Sequence, residues 1–217
     1  MKRSQSTIKL HYLAKSVLAS CLEQLQEGIR QLAEAGRHFL TSRFLFIMKH
    51  PYQRVGVFID VSNMYHSAKN LYRANVNFAK ILETALAGRQ LIRAIAYVIR
   101  SKSQEEQTFF EALGRQGFEV KMKDLQIFPG GMKKADWDVG IAIDAIKLAD
   151  KLDVVVLVSG DGDYLPLLTY LNENKGCLVE AIAFGETTSG KLIGAADDFI
   201  DLSKNKRKFL LRLPAGR

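Results

Sequence analysis

The chain is poor in the residues that hold disulfides and transition metals. Its 217 residues include two cysteines, Cys21 and Cys177, which lie far apart and belong to no Cys-x-x-Cys pair or Cys/His cluster. That spacing speaks against a disulfide scaffold or a zinc ribbon and favours a reducing compartment, with the cytoplasm as the default. The four histidines, His11, His38, His50 and His66, are scattered, which argues against a His-based metal site. No uninterrupted apolar run reaches the roughly 18 residues a membrane-spanning helix needs. The opening MKRSQS leads into an amphipathic, charged pattern and not into the apolar core of a signal peptide. Internal repeats and low-complexity tracts are absent as well.

What remains is ordinary in bulk and uneven in charge. Hydrophobic residues make up 47% and charged residues 25%, as in soluble globular proteins, and the length suits one domain of about 150 residues with an appendage. The net charge is +8, yet residues 54–203 hold 17 basic against 20 acidic residues. Residues 1–53 hold eight basic against three acidic residues, and residues 204–217 hold six basic and none acidic. Basic flanks beside an acidic centre suit a polyanion held near a cation site, because Lys and Arg attract phosphate. Solvated surface helices and a loose tail would give the same balance, and charge alone does not separate the two.

Three regions follow from the patterning. Residues 1–53 form an N-terminal helical extension. Ile8, Tyr12, Val17, Leu18, Leu22, Leu25, Ile29 and Leu32 recur at helical steps over 7–35, Gly36 is a stop, and the apolar stretch 39–48 follows. Such a helix serves packing, self-association or a protein partner. A basic amphipathic helix on a membrane surface is the weaker alternative. Over 54–203, strands at 55–59, 91–99, 118–122, 154–158 and 178–184 alternate with helical patterns at 63–72, 77–87, 104–116, 137–151 and 163–174. Residues 55–59 and 154–158 are unbroken apolar runs, as in central strands covered on both faces. The alternation predicts an α/β fold, a doubly wound and mostly parallel sheet with helices on both faces. Residues 198–202 add an edge piece, and 204–217 form a basic, loosely held tail.

In such a sheet ligands collect beyond the carboxyl ends of the strands, where strand order reverses. The first strand runs into Asp60-Val61-Ser62-Asn63 and the fourth into Ser159-Gly160-Asp161-Gly162-Asp163, while Asp136 and Asp138 open the helix between them. The topology therefore gathers Asp60, Asp138, Asp161 and Asp163 on one rim. Carboxylates so grouped repel one another unless a cation neutralises them, and hard oxygen ligands without His or Cys select Mg²⁺ or Mn²⁺. Gly160 and Gly162 would let the backbone approach a ligand or take positive φ. Each acid also has a purely structural reading. Asp60 could cap the next helix, and Asn63 could cap it too or hold Asp60 in place. Asp136 is the expected cap of the following helix, and Asp138 gains from the helix dipole. Asp161 and Asp163 could form an acidic turn. Asp144 lies about 240° around and about 9 Å along an ideal helix from Asp138, so it cannot share that face, and it could pair with Lys147.

Four ordered stretches carry a family resemblance: residues 57–65 (VFIDVSNMY), Lys134 with 138–145 (DVGIAIDA), 156–168 (VLVSGDGDYLPLL) and 195–202 (AADDFIDL). With them, residues 54–203 resemble the NYN domain family, the LabA-like branch of the PIN-like nucleases. The resemblance implies a PIN-like, Rossmann-like fold and a divalent-metal ribonuclease acting on RNA. It implies Asp60, Asp138, Asp161 and Asp163 as acidic site residues that hold one or two Mg²⁺ or Mn²⁺ ions, with Asn63, Ser159 and Asp144 in support. Asp136 could assist or replace Asp138, Ser159 would position a ligand or water, and Lys133 and Lys134 would attract phosphate. The alternative is a regulatory module that binds RNA or protein and cleaves little. An inactive descendant would be expected to lose a rim carboxylate, and none is lost here.

Overall fold

The computed structural model describes residues 49–100, 104–127, 133–134 and 136–211, with the backbone alone at 104–105, 126–127 and 133–134. The helix expected at 7–35 and the apolar stretch at 39–48 lie outside the described residues. The first strand, β1 (Arg54–Asp60), leads into helix α1 (Val61–Tyr72), the short strand β2 (Asn75–Val76) and helix α2 (Phe78–Leu86). Strand β3 (Gln90–Arg100), helix α3 (Gln104–Arg115) and strand β4 (Glu119–Asp124) follow. A two-stranded ribbon, β5 (Gln126–Ile127) with β6 (Lys133–Lys134), precedes helix α4 (Asp138–Ala149). Then come β7 (Val154–Val158), α5 (Leu165–Glu173), β8 (Leu178–Ala183), α6 (Gly190–Ala195) and β9 (Asp198–Asp201). The described chain ends in α7 (Lys206–Phe209) and β10 (Leu210–Leu211).

Six strands form one sheet in the order β4-β3-β1-β7-β8-β9, and every neighbouring pair is parallel. The chain winds outward from β1 through β3 to β4, then crosses to β7 and winds the other way. The reversal falls between β1 and β7, which places the crevice of the sheet at their carboxyl ends.

The unbroken apolar runs reflect burial on both faces. Successive strand residues point to opposite sides. Val55, Val57, Ile59, Val154, Val156 and Val158 therefore share one buried cluster with Met64 and Ala68 of α1, Ile81 of α2 and Leu113 of α3. Phe58, Val155 and Leu157 share the other with Ile141 and Ala145 of α4 and Leu168 and Leu171 of α5. The expected α/β, doubly wound architecture is thus present, with its five main strands and five main helices where periodicity put them. The two-residue strands and the short helices α6 and α7 had no periodic signal, because they span fewer than two periods of their patterns.

The expectation of a loose tail fails for residues 204–211. Leu202 and Phe209 are buried in the cluster under α1–α3, β10 pairs antiparallel with β2, and the Asn77 amide donates to the Phe209 carbonyl at 2.8 Å. The basic residues mask this anchoring: Lys206 stands 4.3 Å from the Tyr72 ring centroid while Phe209 turns inward. Residues 212–217 lie outside the described residues.

Toward the amino ends of the strands, a buried ion pair ties the two halves of the sheet together. Arg89, just before β3, donates to both Glu180 oxygens of β8 at 2.6 and 2.8 Å, and to the Ala85 and Leu86 carbonyls at the end of α2. Lys49 lies 3.3 Å from the same carboxylate. Stripping one partner from a buried pair costs about 3–5 kcal/mol, whereas replacing both by apolar groups can be neutral. Arg89→Met is accordingly expected to lower the urea unfolding free energy by about 3 kcal/mol, with Lys49 holding it to the lower end of that range, and Arg89→Met/Glu180→Leu to recover most of the loss. A double variant no better than the single one would show that the pair is not the source of the cost.

Candidate metal centre

The rim is built from three short segments that the sheet brings together. Asp60 ends β1 in an extended conformation and caps α1, its Oδ1 accepting from the Asn63 amide at 3.0 Å. The capping role is real, and it leaves Oδ2 directed to the interior of the rim. Asn63 does not hold Asp60 through its side chain. Its Oδ1 instead accepts from the Gly160 amide at 3.1 Å, so the first turn of α1 is stapled to the loop after β7. Ser159 is fully buried; its Oγ accepts from the Asp161 amide at 3.3 Å. In this position it braces the start of the acidic loop.

That loop closes on itself. Asp161 caps a 3₁₀ turn, Gly162–Tyr164, its Oδ1 accepting from the Asp163 amide at 3.0 Å. The two glycines serve packing. Neither has positive φ, which among the described glycines occurs at Gly88, Gly117 and Gly176. A Cβ at Gly160 would meet Thr188 Oγ1 at 2.9 Å, and one at Gly162 would meet Ser189 Oγ at 2.9 Å. The segment after β8 thus lies directly against the acidic loop, and the Ser189 amide donates to the Gly160 carbonyl at 3.0 Å.

Asp138, Asp161 and Asp163 come together: each offers a carboxylate oxygen, and these lie within 4.8 Å of one another. Asp60 stands beside this trio and outside it. It is joined by Tyr164, whose hydroxyl donates to Asp138 Oδ1 at 2.9 Å and lies 3.5 Å from Asp60 Oδ2. Sequence reading missed Tyr164, because in 163–174 it looks like one more apolar position of a helix.

Charge crowding is visible in the ionisation of the rim. Burial raises the pKa of Asp60, and the like charges of Asp138 and Asp161 raise it further, against the hydrogen bonds from the Asn63 and Ser62 amides. Burial likewise raises Asp138; the Tyr164 hydrogen bond opposes this, and Asp161, Asp136 and Asp163 add to it. The Tyr164 hydroxyl is pushed far up, by burial and then by Asp60 and Asp138, so it stays protonated and donates.

The other expected residues stand apart from the trio. Asp136 does not cap α4; the N-cap is Trp137, without a side-chain cap bond. Asp136 instead lends its carbonyl to Lys123 Nζ at 2.8 Å, and Lys123 lies 4.9 Å from the Trp137 ring centroid. This puts a cation beside the start of α4 that the sequence pattern did not mark. Asp144 pairs with Lys121 at 2.7 Å and accepts from the Tyr97 hydroxyl at 2.8 Å. Burial would raise its pKa, but the hydrogen bonds from Lys121 and Tyr97 prevail and hold it low. It fastens α4 to β3 and β4, with Lys121 and not Lys147 as hydrogen-bonded partner. Lys133 and Lys134 form β6 opposite Ile127 and Gln126; their side chains lie outside the described residues. Among the described residues no helix is long and apolar enough to cross a membrane.

The donor set fits a hard divalent cation. It is all carboxylate, with no imidazole or thiolate, a set that suits hard cations such as Mg²⁺, Ca²⁺ and Mn²⁺. Comparison with known proteins agrees with the fold. A crystal structure of a protein of unknown function from Vibrio parahaemolyticus superposes with a TM-score of 0.69 at 32% identity, covering 76% of this chain and 99% of that one. The low amplitude and bright protein LabA of Synechococcus elongatus is 28% identical over 162 residues, 69% of this chain and 84% of the relative. The model of the NYN domain matches residues 54–203. With its acidic rim at the reversal point of a PIN-like parallel sheet, the chain belongs to the NYN domain family of PIN-like nucleases.

Proposed function

We propose that the chain is a divalent-metal-dependent ribonuclease that hydrolyses RNA phosphodiester bonds at the rim between β1 and β7. The observation that carries this reading is the convergence of Asp138, Asp161 and Asp163 within 4.8 Å, in a family of PIN-like nucleases. In this reading these three hold Mg²⁺ or Mn²⁺, and Asp60 completes the site by adding negative charge at its inner wall. When bound, such an ion lowers the pKa of water and stabilises the charge that develops on a phosphoryl group. The chain's own groups do the rest. Asn63 and Ser159 hold the acidic loop at its height, Asp144 fixes the angle of α4 that carries Asp138, and Asp136 adds charge at the mouth. Lys133 and Lys134 attract phosphate, and the basic flanks add to the affinity for RNA.

The alternative is a regulatory module that keeps the rim and binds RNA or a protein partner without cutting. The integrity of all four rim carboxylates favours the enzyme. Residues 1–53 are left for self-association or a partner, and the buried free thiol of Cys177 agrees with a reducing, cytoplasmic setting.

Two experiments test the reading. Full-length protein incubated with mixed RNAs and Mn²⁺ is expected to cleave. Asp161→Asn should lower the rate by at least about 100-fold, the upper end of what loss of a group supporting a metal ligand causes. Equal cleavage by both proteins would mark a contaminant, and binding without cleavage would establish the regulatory module.

The second experiment uses the crowded charge. A carboxylate whose folded pKa exceeds its unfolded one gives the folded state more bound protons between the two values, so stability falls as pH rises through that window. Asp60 is such a group, and Asn keeps the helix cap. In chelator at pH 7, Asp60→Asn is therefore expected to melt above wild type. The difference should close as pH falls toward the ordinary carboxylate value of 3.8. Saturating Mg²⁺ is expected to reverse the order. A variant that melts lower at pH 7 in chelator would refute the repulsion.

A further inference from the structure

We infer that Tyr164 is the positioning residue of the cation site: its hydroxyl holds the Asp138 carboxylate in the orientation at which Asp138, Asp161 and Asp163 converge. The inference rests on the reading of the rim as a divalent-metal centre and adds a residue to it.

The observations are geometric. Tyr164 is 2% exposed and belongs to the buried cluster of Ile141, Leu168 and Leu192, so its ring cannot swing to follow a ligand. Its hydroxyl carries one proton and faces two carboxylates, Asp138 Oδ1 at 2.9 Å and Asp60 Oδ2 at 3.5 Å. The shorter distance directs the proton to Asp138. This matters because the last torsion of an aspartate is soft and broadly populated. Asp138 also sits in the first turn of a helix whose N-cap supplies no side-chain bond. The tyrosine hydroxyl is thus the side-chain donor that fixes the Asp138 carboxylate where it meets Asp161 and Asp163.

The placement of the donor adds a second consequence. Tyr164 closes the same 3₁₀ turn that Asp161 caps and that contains Asp163. A three-residue turn and its cap therefore carry two of the three carboxylates together with the group that orients the third. Asp138 comes from α4, on a separate segment, and the hydroxyl couples it to the turn. With the second proton acceptor, Asp60, at the end of β1, one buried hydroxyl links the three segments that form the rim.

If the tyrosine were only core filling, phenylalanine would replace it without effect on the cation, since the ring and its packing are retained. If it positions Asp138, phenylalanine frees that carboxylate and weakens the site. The test is calorimetric titration of the full chain with MnCl₂ in the absence of RNA, read in parallel through fluorescence of Trp137. That residue is the chain's one tryptophan and directly precedes Asp138. Tyr164→Phe is expected to weaken Mn²⁺ binding by about tenfold or more, the range seen when a metal ligand loses its outer hydrogen-bond partner. In an Asp138→Asn background the same substitution should add little, because coupled groups are non-additive. Should the phenylalanine variant melt early, the Mn²⁺-induced rise in Tm, which compares each protein with itself, replaces the titration and should shrink. Equal affinity, or an equal rise in Tm, would overturn the inference and leave the metal centre standing. Absence of Mn²⁺ binding by the wild type would overturn both. Mn²⁺ binding that depends on Tyr164 in a protein that never cleaves RNA would support the inference and refute the ribonuclease.

Discussion

Parallel pairing of β1 with β7, from Val55 opposite Val154 to Ile59 opposite Val158, is the contact on which the rim depends. Both strands end at the same height, and the chain leaves them in opposite directions around the sheet. Asp60 and the loop from Ser159 to Asp163 thereby arrive side by side, and the Asn63 side chain fastens that loop to α1 through the Gly160 amide. The core that secures this register is apolar on both faces and contains the branched Val and Ile residues that pack well on a pleated surface. Acidic residues can be crowded at the top because the layers beneath are held by burial and not by the site itself.

The rim is an electrostatic liability that local hydrogen bonds contain. Asp60 and Asp138 sit where burial and like charge disfavour ionisation. The Asn63 amide, the Tyr164 hydroxyl and the Asp163 amide each donate to one of the carboxylates, which lessens the repulsion without removing it. The remaining excess of negative charge is what a divalent cation would neutralise. An arrangement optimised for stability alone would have mixed in a lysine, as happens a short way off, where Asp144 meets Lys121. The contrast between those two aspartates of one helix separates a structural carboxylate from a candidate ligand.

At the opposite end of the sheet the chemistry is of another kind. Arg89 and Glu180 satisfy each other there in a buried, two-pronged pair, while the tail, which leaves the carboxyl end of β9, buries Phe209 in the cluster with α1–α3. These devices join β3 to β8 and β10 to β2, elements distant in sequence. The segment after β8, pressed against Gly160 and Gly162, extends that support to the acidic loop itself.

Periodicity and strand-end acids were enough, read from the residues, to determine the α/β class, the central position of 55–59 and 154–158, and the carboxylates that collect beyond them. Both are local properties: an apolar run declares burial on two faces, and an acid directly after it declares the end of the strand. Tertiary structure alone decided which acids meet. It joined Asp138 to Asp161 and Asp163, set Asp60 behind them, gave Asp144 to Lys121, turned Asn63 toward Gly160 and made Tyr164 the donor between two carboxylates. It also took the basic tail, which reads as solvated, and buried its Phe209. Those assignments depend on side-chain directions across segments tens of residues apart. A distance of a few ångströms between such groups leaves no periodic trace along the chain.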